Sequence, residues 1–316
     1  MKRIRAAVIG TGYLGRFHAD KYAALPEAEL VAVVDADVSR AGAVAEKHGA
    51  AAFESYRDVL GKVDAVSVVT PTETHFEIGR EFLSRGVHVL MEKPMTRTEA
   101  EAGELIDVAE KAGAVLQVGH LERFNAAVVE LKGRLTRPIY MEAHRLARFP
   151  NRGADVDVVL DLMIHDIDII LNLVGSEIES VDAAGLPVIT DKPDIVSARL
   201  RFKNGCVANA TASRVSIEPV RKIDVYEADS YVAIDYARQQ MTTYRTGSEG
   251  GALLMVGEPH HLEKRDTIME EIRSFLKSIT DGTAPLVSGA DGKRAIEVAR
   301  LVQDSVRRSM ERFAGK

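Results

Sequence analysis

The stretch IRAAVIGTGYLG, Ile4 to Gly15, decides the fold. Its first half is a short, continuous apolar run, the pattern of a strand buried on both faces of a parallel sheet. Gly10, Gly12 and Gly15 follow in the spacing G-x-G-x-x-G, directly after that strand and at the start of a helical segment. In such a loop one glycine makes the tight turn, the next lets backbone amides approach a pyrophosphate, and the third lets the helix pack closely, while the helix N-terminus favours the anion. Tyr13 and Leu14, inside the loop, join the glycines as candidate cofactor contacts. Asp35 closes the next apolar run, LVAVV (30–34), where a carboxylate accepts hydrogen bonds from an adenosine ribose. That charge repels a ribose 2′-phosphate, so NAD is expected ahead of NADP; Arg40, the first basic residue to follow, keeps NADP open.

Outward from this stretch, the first 119 residues alternate short valine-rich runs with segments of helical period. Further runs are DAVSVV (64–69), VHVLM (87–91) and AVLQV (114–118), and helices are expected in THFEIGREFLSRG and TRTEAEAGELIDVAEKAG. The second helix is expected to open on a capping box, Thr96 with Glu99, and to close on Gly113. This is the βαβ rhythm of a doubly wound α/β domain. In an open sheet of that kind the ligand crevice lies outside the carboxyl ends of the strands. Four groups therefore join the glycine loop there: Asp35; Thr70, Pro71 and the nearby His75; Glu92-Lys93-Pro94; and Gly119-His120. Pro94 biases Lys93 towards an extended backbone at the strand mouth, although lysines at loops are commonly just solvated.

After residue 120 the pattern changes to a second domain, 120–316, of α+β type with an open, mainly antiparallel sheet. Asn204-Gly205 between two alternating runs is a strong hairpin signal, and Ala228-Asp229-Ser230 repeats it. Two helices, near 264–281 and 289–312, are expected to finish the chain.

Composition excludes several classes of function. Of 316 residues, 46% are hydrophobic, enough for two cores, and 47 acidic against 41 basic residues leave no cationic footprint for nucleic acid or an anionic membrane. No segment approaches a membrane span. A single cysteine, Cys206, rules out an intrachain disulfide and fits a reducing, cytoplasmic setting.

The second domain carries its own constellation. In DVVLDLMIHDIDIIL, Asp161 and His165 are four apart and Asp168 lies three further on, so all fall on one helical stripe. A carboxylate beside an imidazole makes an acid/base near neutral pH. A hydrogen-bonded core histidine is the competing structural explanation, and a metal site with His144 is another; no metal ligand set is assigned. Arg123, Asn125, His144 and Arg145 flank the crossing between the domains and are candidate substrate contacts, since arginine forks suit a diphosphate. Ordinary surface charge is an equal alternative for them.

GTGYLGRFHA, TPTETH, MEKP and the D-x-x-x-H of Asp161 and His165 together resemble the glucose-fructose oxidoreductase, inositol dehydrogenase and rhizopine-catabolism family, Gfo/Idh/MocA, over nearly the whole chain. The resemblance implies an N-terminal Rossmann domain, an open antiparallel C-terminal sheet, and NAD(P)-dependent hydride transfer to or from a sugar or cyclitol. It implies that Lys93, Asp161 and His165 are the catalytic group, with either Lys93 or His165 as base. GHLERFNAAV, EAHRLARF and DVDVVLDLMIHDIDI are most similar to a subgroup acting on nucleotide-linked amino sugars, which implies oxidation of the 3-hydroxyl of a UDP-linked N-acetylamino sugar. A free sugar or inositol dehydrogenase and a non-catalytic NAD sensor are the alternatives. Met163 departs from the family's usual D-L-G-x-H, which puts the pocket shape in question. The uncovered face of the second sheet is expected to support a homodimer or homotetramer.

Overall fold

The structure, a computed structural model, describes residues 3–149, 156–249 and 252–313. It divides into two compact units, 1–121 with 266–296 and 122–265 with 297–316. The expected second domain ran unbroken from 120; residues 266–296 belong instead with the first unit.

The first unit is a parallel sheet of six strands. They are β1 (Ile4–Ile9), β2 (Ala28–Val34), β3 (Ala51–Phe53), β4 (Ala65–Val68), β5 (His88–Glu92) and β6 (Leu116–Gly119), in the order β3-β2-β1-β4-β5-β6. Order reverses between β1 and β4, so the crevice outside their carboxyl ends is the place for a ligand. β3 was not legible in the sequence: its three residues are half-buried or exposed, and it is an edge strand paired only with β2. The crossovers are α1 (Gly15–Ala24), α2 (Val38–His48), α3 (Thr72–Leu83) and α4 (Glu99–Ala112). The capping box of α4 is built from Thr98 and Glu101, two residues later than expected, because the Thr96 hydroxyl is spent on the Thr98 carbonyl. Gly113 ends α4 at φ +64°, as its position implied.

In the second unit α5 (Ala126–Arg134) precedes β7 (Tyr140–Leu146), and a widened π turn, Val159–Met163, runs into α6 (Ile164–Val174). Seven strands follow: β8 (Ile178–Leu186), β9 (Ile195–Phe202), β10 (Val207–Ser213), β11 (Val220–Tyr226), β12 (Ser230–Asp235), β13 (Gln240–Glu249) and β14 (Ala252–His260). The sheet order is β14-β13-β12-β11-β7-β10-β9-β8, antiparallel except where β7 meets β10. Both expected hairpins form, and Gly205 supplies the positive φ, +89°, that the first one needs. Alternation along β7 sends Met141, Ala143 and Arg145 to the core face and Tyr140, Glu142 and His144 to the other. Ile167, Ile170 and Leu171 of α6 pack in the same core cluster as Met141 and Ala143.

The closing helices are α7 (Thr267–Asp281) and α8 (Gly289–Phe313). The unit boundary falls inside α8, whereas α7 lies wholly with the first unit. There Ile272, Phe275 and Leu276 are buried with Ala19, Tyr22 and Leu90. Each such side chain withdrawn from water contributes about 1.5–3 kcal/mol. No helix among the described residues is long and apolar enough to cross a membrane.

Candidate active site

Each glycine of the loop after β1 has its own physical reason. Gly10 sits at φ +93°, and a Cβ there would meet the Val69 carbonyl oxygen at 2.5 Å. A Cβ on Gly15 would lie 1.8 Å from the Gly10 carbonyl oxygen, so only glycine lets α1 begin this close to the turn. A Cβ on Gly12 would meet nothing within 4 Å. That open approach to the backbone, at the head of α1, is the cradle a pyrophosphate needs, so the residues fit a dinucleotide. Tyr13 is exposed, its ring edge-on to Phe17 at 5.4 Å and beneath the Arg16 guanidinium; Leu14 is half-buried beside it.

Asp35 ties this loop to the end of β2. Its Oδ2 accepts from the amide and hydroxyl of Thr11, and Oδ1 accepts from the Asp37 amide. Against the desolvation of its site, the amides of Asp37 and Thr11 and the Thr11 hydroxyl hold the carboxyl below its usual range. Asp35 is therefore ionised at neutral pH, and Oδ1 keeps a lone pair for a ribose hydroxyl. Arg40 stands 3.6 Å from Oδ1 with its side chain about half exposed, pairing with Asp35 and Asp37.

At the mouths of β4 and β5 the expected residues separate into two roles. Thr70 is half-buried and Pro71 exposed, open to a ligand, with Thr74 Oγ1 bridging Thr70 Oγ1 and the Pro71 carbonyl. His75 is almost wholly buried, with Nε2 2.8 Å from the Thr70 carbonyl and Nδ1 3.0 Å from the Pro94 carbonyl. Burial depresses its pKa, against the Thr70 and Pro94 carbonyls, which as acceptors favour the doubly protonated ring. His75 thus joins the two loops that carry Thr70 and Lys93. Glu92 is buried, and its Oε2 accepts from the Lys93 amide. Gly119, its partner in β6, leaves room for that carboxylate, because a Cβ would lie 2.9 Å from Oε1. Lys93 is half-buried, and its bond to Pro94 is cis.

In the second unit, Asp161 lies within the π turn and His165 in the first turn of α6; both are half-buried. Single π turns inside helices often mark functional sites. His165 Nδ1 is buried. Met163 is fully buried in the unit's core cluster, so the residue that replaces the family's glycine is absorbed by packing.

The residues expected at the substrate are mostly committed elsewhere. Arg123 gives Nε and Nη2 to the carboxylate of Asp168 at 2.7 and 2.8 Å, both residues buried. Arg145 gives the same fork to Asp166 at 2.9 and 3.0 Å, adds Glu122 at 3.1 Å, and lies over the Tyr236 ring. Against the desolvation of its site, the charges of Asp166 and Glu122 raise the Arg145 pKa and keep it a cation. Asn125 caps α5 through Oδ1 and donates from Nδ2 to Glu122 and the Tyr236 carbonyl. These forks and amides hold the unit together. His144 stands on the sheet face opposite to Arg145, 3.8 Å from Glu142. That also removes it from the helix that carries Asp161 and His165.

A family model described as "Oxidoreductase family, NAD-binding Rossmann fold" matches residues 4–120, and the corresponding C-terminal domain model matches 127–229. The chain belongs to the Gfo/Idh/MocA oxidoreductase family. Over 315 residues it is 40% identical to the UDP-N-acetylglucosamine 3-dehydrogenase of Acidithiobacillus ferrooxidans, covering 99% of this chain and 100% of that one. A solved structure of that protein superposes with a TM-score of 0.93 over 98% of this chain and 99% of the other. The myo-inositol 2-dehydrogenase of Thermotoga maritima is 28% identical over 326 aligned positions, covering 96% of each. The chain is thus an NAD-binding oxidoreductase of a family that includes dehydrogenases of sugar and cyclitol hydroxyls.

Proposed function

We propose that this enzyme oxidises the 3-hydroxyl of a UDP-linked N-acetylamino sugar with NAD, reversibly. The observation that carries the reading is the full-length similarity to the UDP-N-acetylglucosamine dehydrogenase. Asp35 supports NAD over NADP, because its ionised carboxylate stands where a 2′-phosphate would be. When bound, the nicotinamide supplies the hydride acceptor.

The chain's residues handle the proton. His165 Nε2 takes it from the reacting hydroxyl, Nδ1 being buried, and Asp161 orients the imidazole and stabilises its cation. The Lys93 ammonium stabilises the oxygen as it loses its proton. Single-turnover rates of Lys93→Met and His165→Asn across pH test these roles: each is expected to slow oxidation by about 10²–10⁴-fold. Near-normal rates in both variants would remove the catalytic assignment.

Self-association through the second sheet is part of the proposal. Tyr140, Tyr226, Tyr231 and Tyr244 form a ladder across β7, β11, β12 and β13 on the face away from the core, centroids 4.6–5.6 Å apart. Met255 of β14 is exposed beyond it on the same face. Such a surface suits an isologous dimer or a tetramer. Light scattering is expected to give an oligomer that Tyr231→Glu dissociates; a monomeric parent would refute this. The buried, free Cys206 suits a reducing compartment such as the cytoplasm.

A further inference from the structure

Beneath the mouth of β5 the first unit encloses a polar chamber that the proposed chemistry leaves unused. His18 and Tyr22 of α1, Ser67 of β4, Gln117 of β6 and Glu271 of α7 are each fully buried, and Glu92 of β5 is 6% exposed. The His18 Nδ1 and Tyr22 hydroxyl both contact Ser67 Oγ, at 3.2 and 2.9 Å. On its other side, His18 Nε2 lies 3.4 Å from Glu92 Oε1. One ligand-type atom each of His18, Glu92 and Glu271 lie within 4.8 Å of one another. Both Glu271 carboxyl oxygens and Gln117 Oε1 are buried without a hydrogen-bond partner among the described residues. Burying an ionised carboxylate is costly without hydrogen bonds or a counter-charge, which favours a proton on Glu271 or a bound cation beside it.

We propose that Glu271 is a neutral carboxylic acid that faces Glu92 and, together with His18, acts as a positioning residue for Lys93. Glu92 is the link. One of its oxygens faces the chamber while the other accepts the Lys93 amide, so whatever fixes this carboxylate fixes the backbone that carries the lysine. Gly119 allows the carboxylate into that position, and two ionised glutamates would repel each other out of it. The protonated state agrees with burial and with the neighbouring charge of Glu92, both of which raise the Glu271 pKa well above the usual carboxylate range. Of the titratable groups facing the chamber, His18 and Tyr22 come from α1 and Glu92 from β5; His75 of α3 also feels the Glu92 charge. The proton is preferred to a cation because it needs no ligand beyond the residues present.

The role in catalysis rests on Lys93 acting as proposed above, but the proton on Glu271 can be tested without substrate. An infrared difference spectrum of the parent minus Glu271→Gln, in water and deuterium oxide, is expected to show a protonated-carboxyl C=O stretch that shifts on deuteration. Absence of that band would overturn the proposal. So would one equivalent of metal found by elemental analysis and lost in Glu271→Gln. Kinetically, Glu271→Gln, which keeps a neutral donor, is expected to retain kcat within about threefold and to move its alkaline decline to higher pH. Glu271→Ala is expected to lower kcat about 10–100-fold, as misplacement of a catalytic group by about an ångström does. Equal losses in the two variants would overturn the positioning role. If Lys93→Met proved fully active while the infrared band persisted, the functional reading would fall and the buried acid would stand.

Discussion

Gly12 and Gly15 lie three residues apart in one motif, yet substitution by alanine is expected to damage different properties. In Gly15→Ala the methyl would lie 1.8 Å from the Gly10 carbonyl oxygen, about 1.6 Å inside ordinary contact, and the obstacle is backbone. Overpacking of this kind costs about 1–3 kcal/mol, and more when backbone must move. The better helix propensity of alanine returns up to about 1 kcal/mol. A net loss of about 2 kcal/mol lowers the melting temperature of a unit this size by about 4–8 °C. In Gly12→Ala the methyl meets no protein atom within 4 Å, so stability is expected to change by no more than about 0.5 kcal/mol. The same methyl occupies the approach of the pyrophosphate, and NADH affinity is expected to fall about 10–100-fold, or about 1.4–2.8 kcal/mol. Calorimetry of the unliganded variants and fluorescence titration with NADH separate the two effects. If Gly12→Ala melted as early as Gly15→Ala and bound NADH normally, the assignment of the open cradle to the cofactor would be wrong.

Two further expectations concern buried charge. Asp166→Ala leaves Arg145, buried in the parent, with Glu122 as a carboxylate partner, and is expected to cost about 3–5 kcal/mol by denaturant unfolding. The paired replacement Arg145→Met with Asp166→Leu should recover most of that loss; no recovery would mean that the pair is not the source. His75 titrates in the opposite sense to a paired histidine. Its folded pKa is depressed by burial, so its stabilising contribution is full above the unfolded value near 6.5 and is lost as pH falls from there towards the folded value. The pH dependence of parent stability below 6.5 should therefore be steeper than that of His75→Asn; identical slopes would refute this.

Much of the fold was legible because its signals are local. The glycine spacing, Asp35, the valine-rich runs and Asn204-Gly205 each depend on a few neighbouring residues, and each marks the expected element. The failures are long-range or involve close competitors. Thr96 and Thr98 offer similar caps, and only the hydrogen bond between them selects Thr98. The period of α7 locates a helix but cannot say that Glu271 and Phe275 pack with α1 and β5. Nothing local announces that Arg123 and Arg145 pair with Asp168 and Asp166, which lie 45 and 21 residues away. The available signal was the H-D-I-D spacing of α6, which offers two acids to two nearby arginines. His75 and Glu92 are buried, and sequence position alone does not say which way a side chain turns.

NADH formation by the purified enzyme, measured in parallel on UDP-N-acetylhexosamines, free hexoses and inositols with NAD and with NADP, tests the central claim most directly. The expected result is turnover with NAD on a UDP-N-acetylhexosamine, with mass spectrometry showing a product two hydrogens lighter. Turnover confined to a free hexose or an inositol, with none on any UDP-sugar, would contradict it.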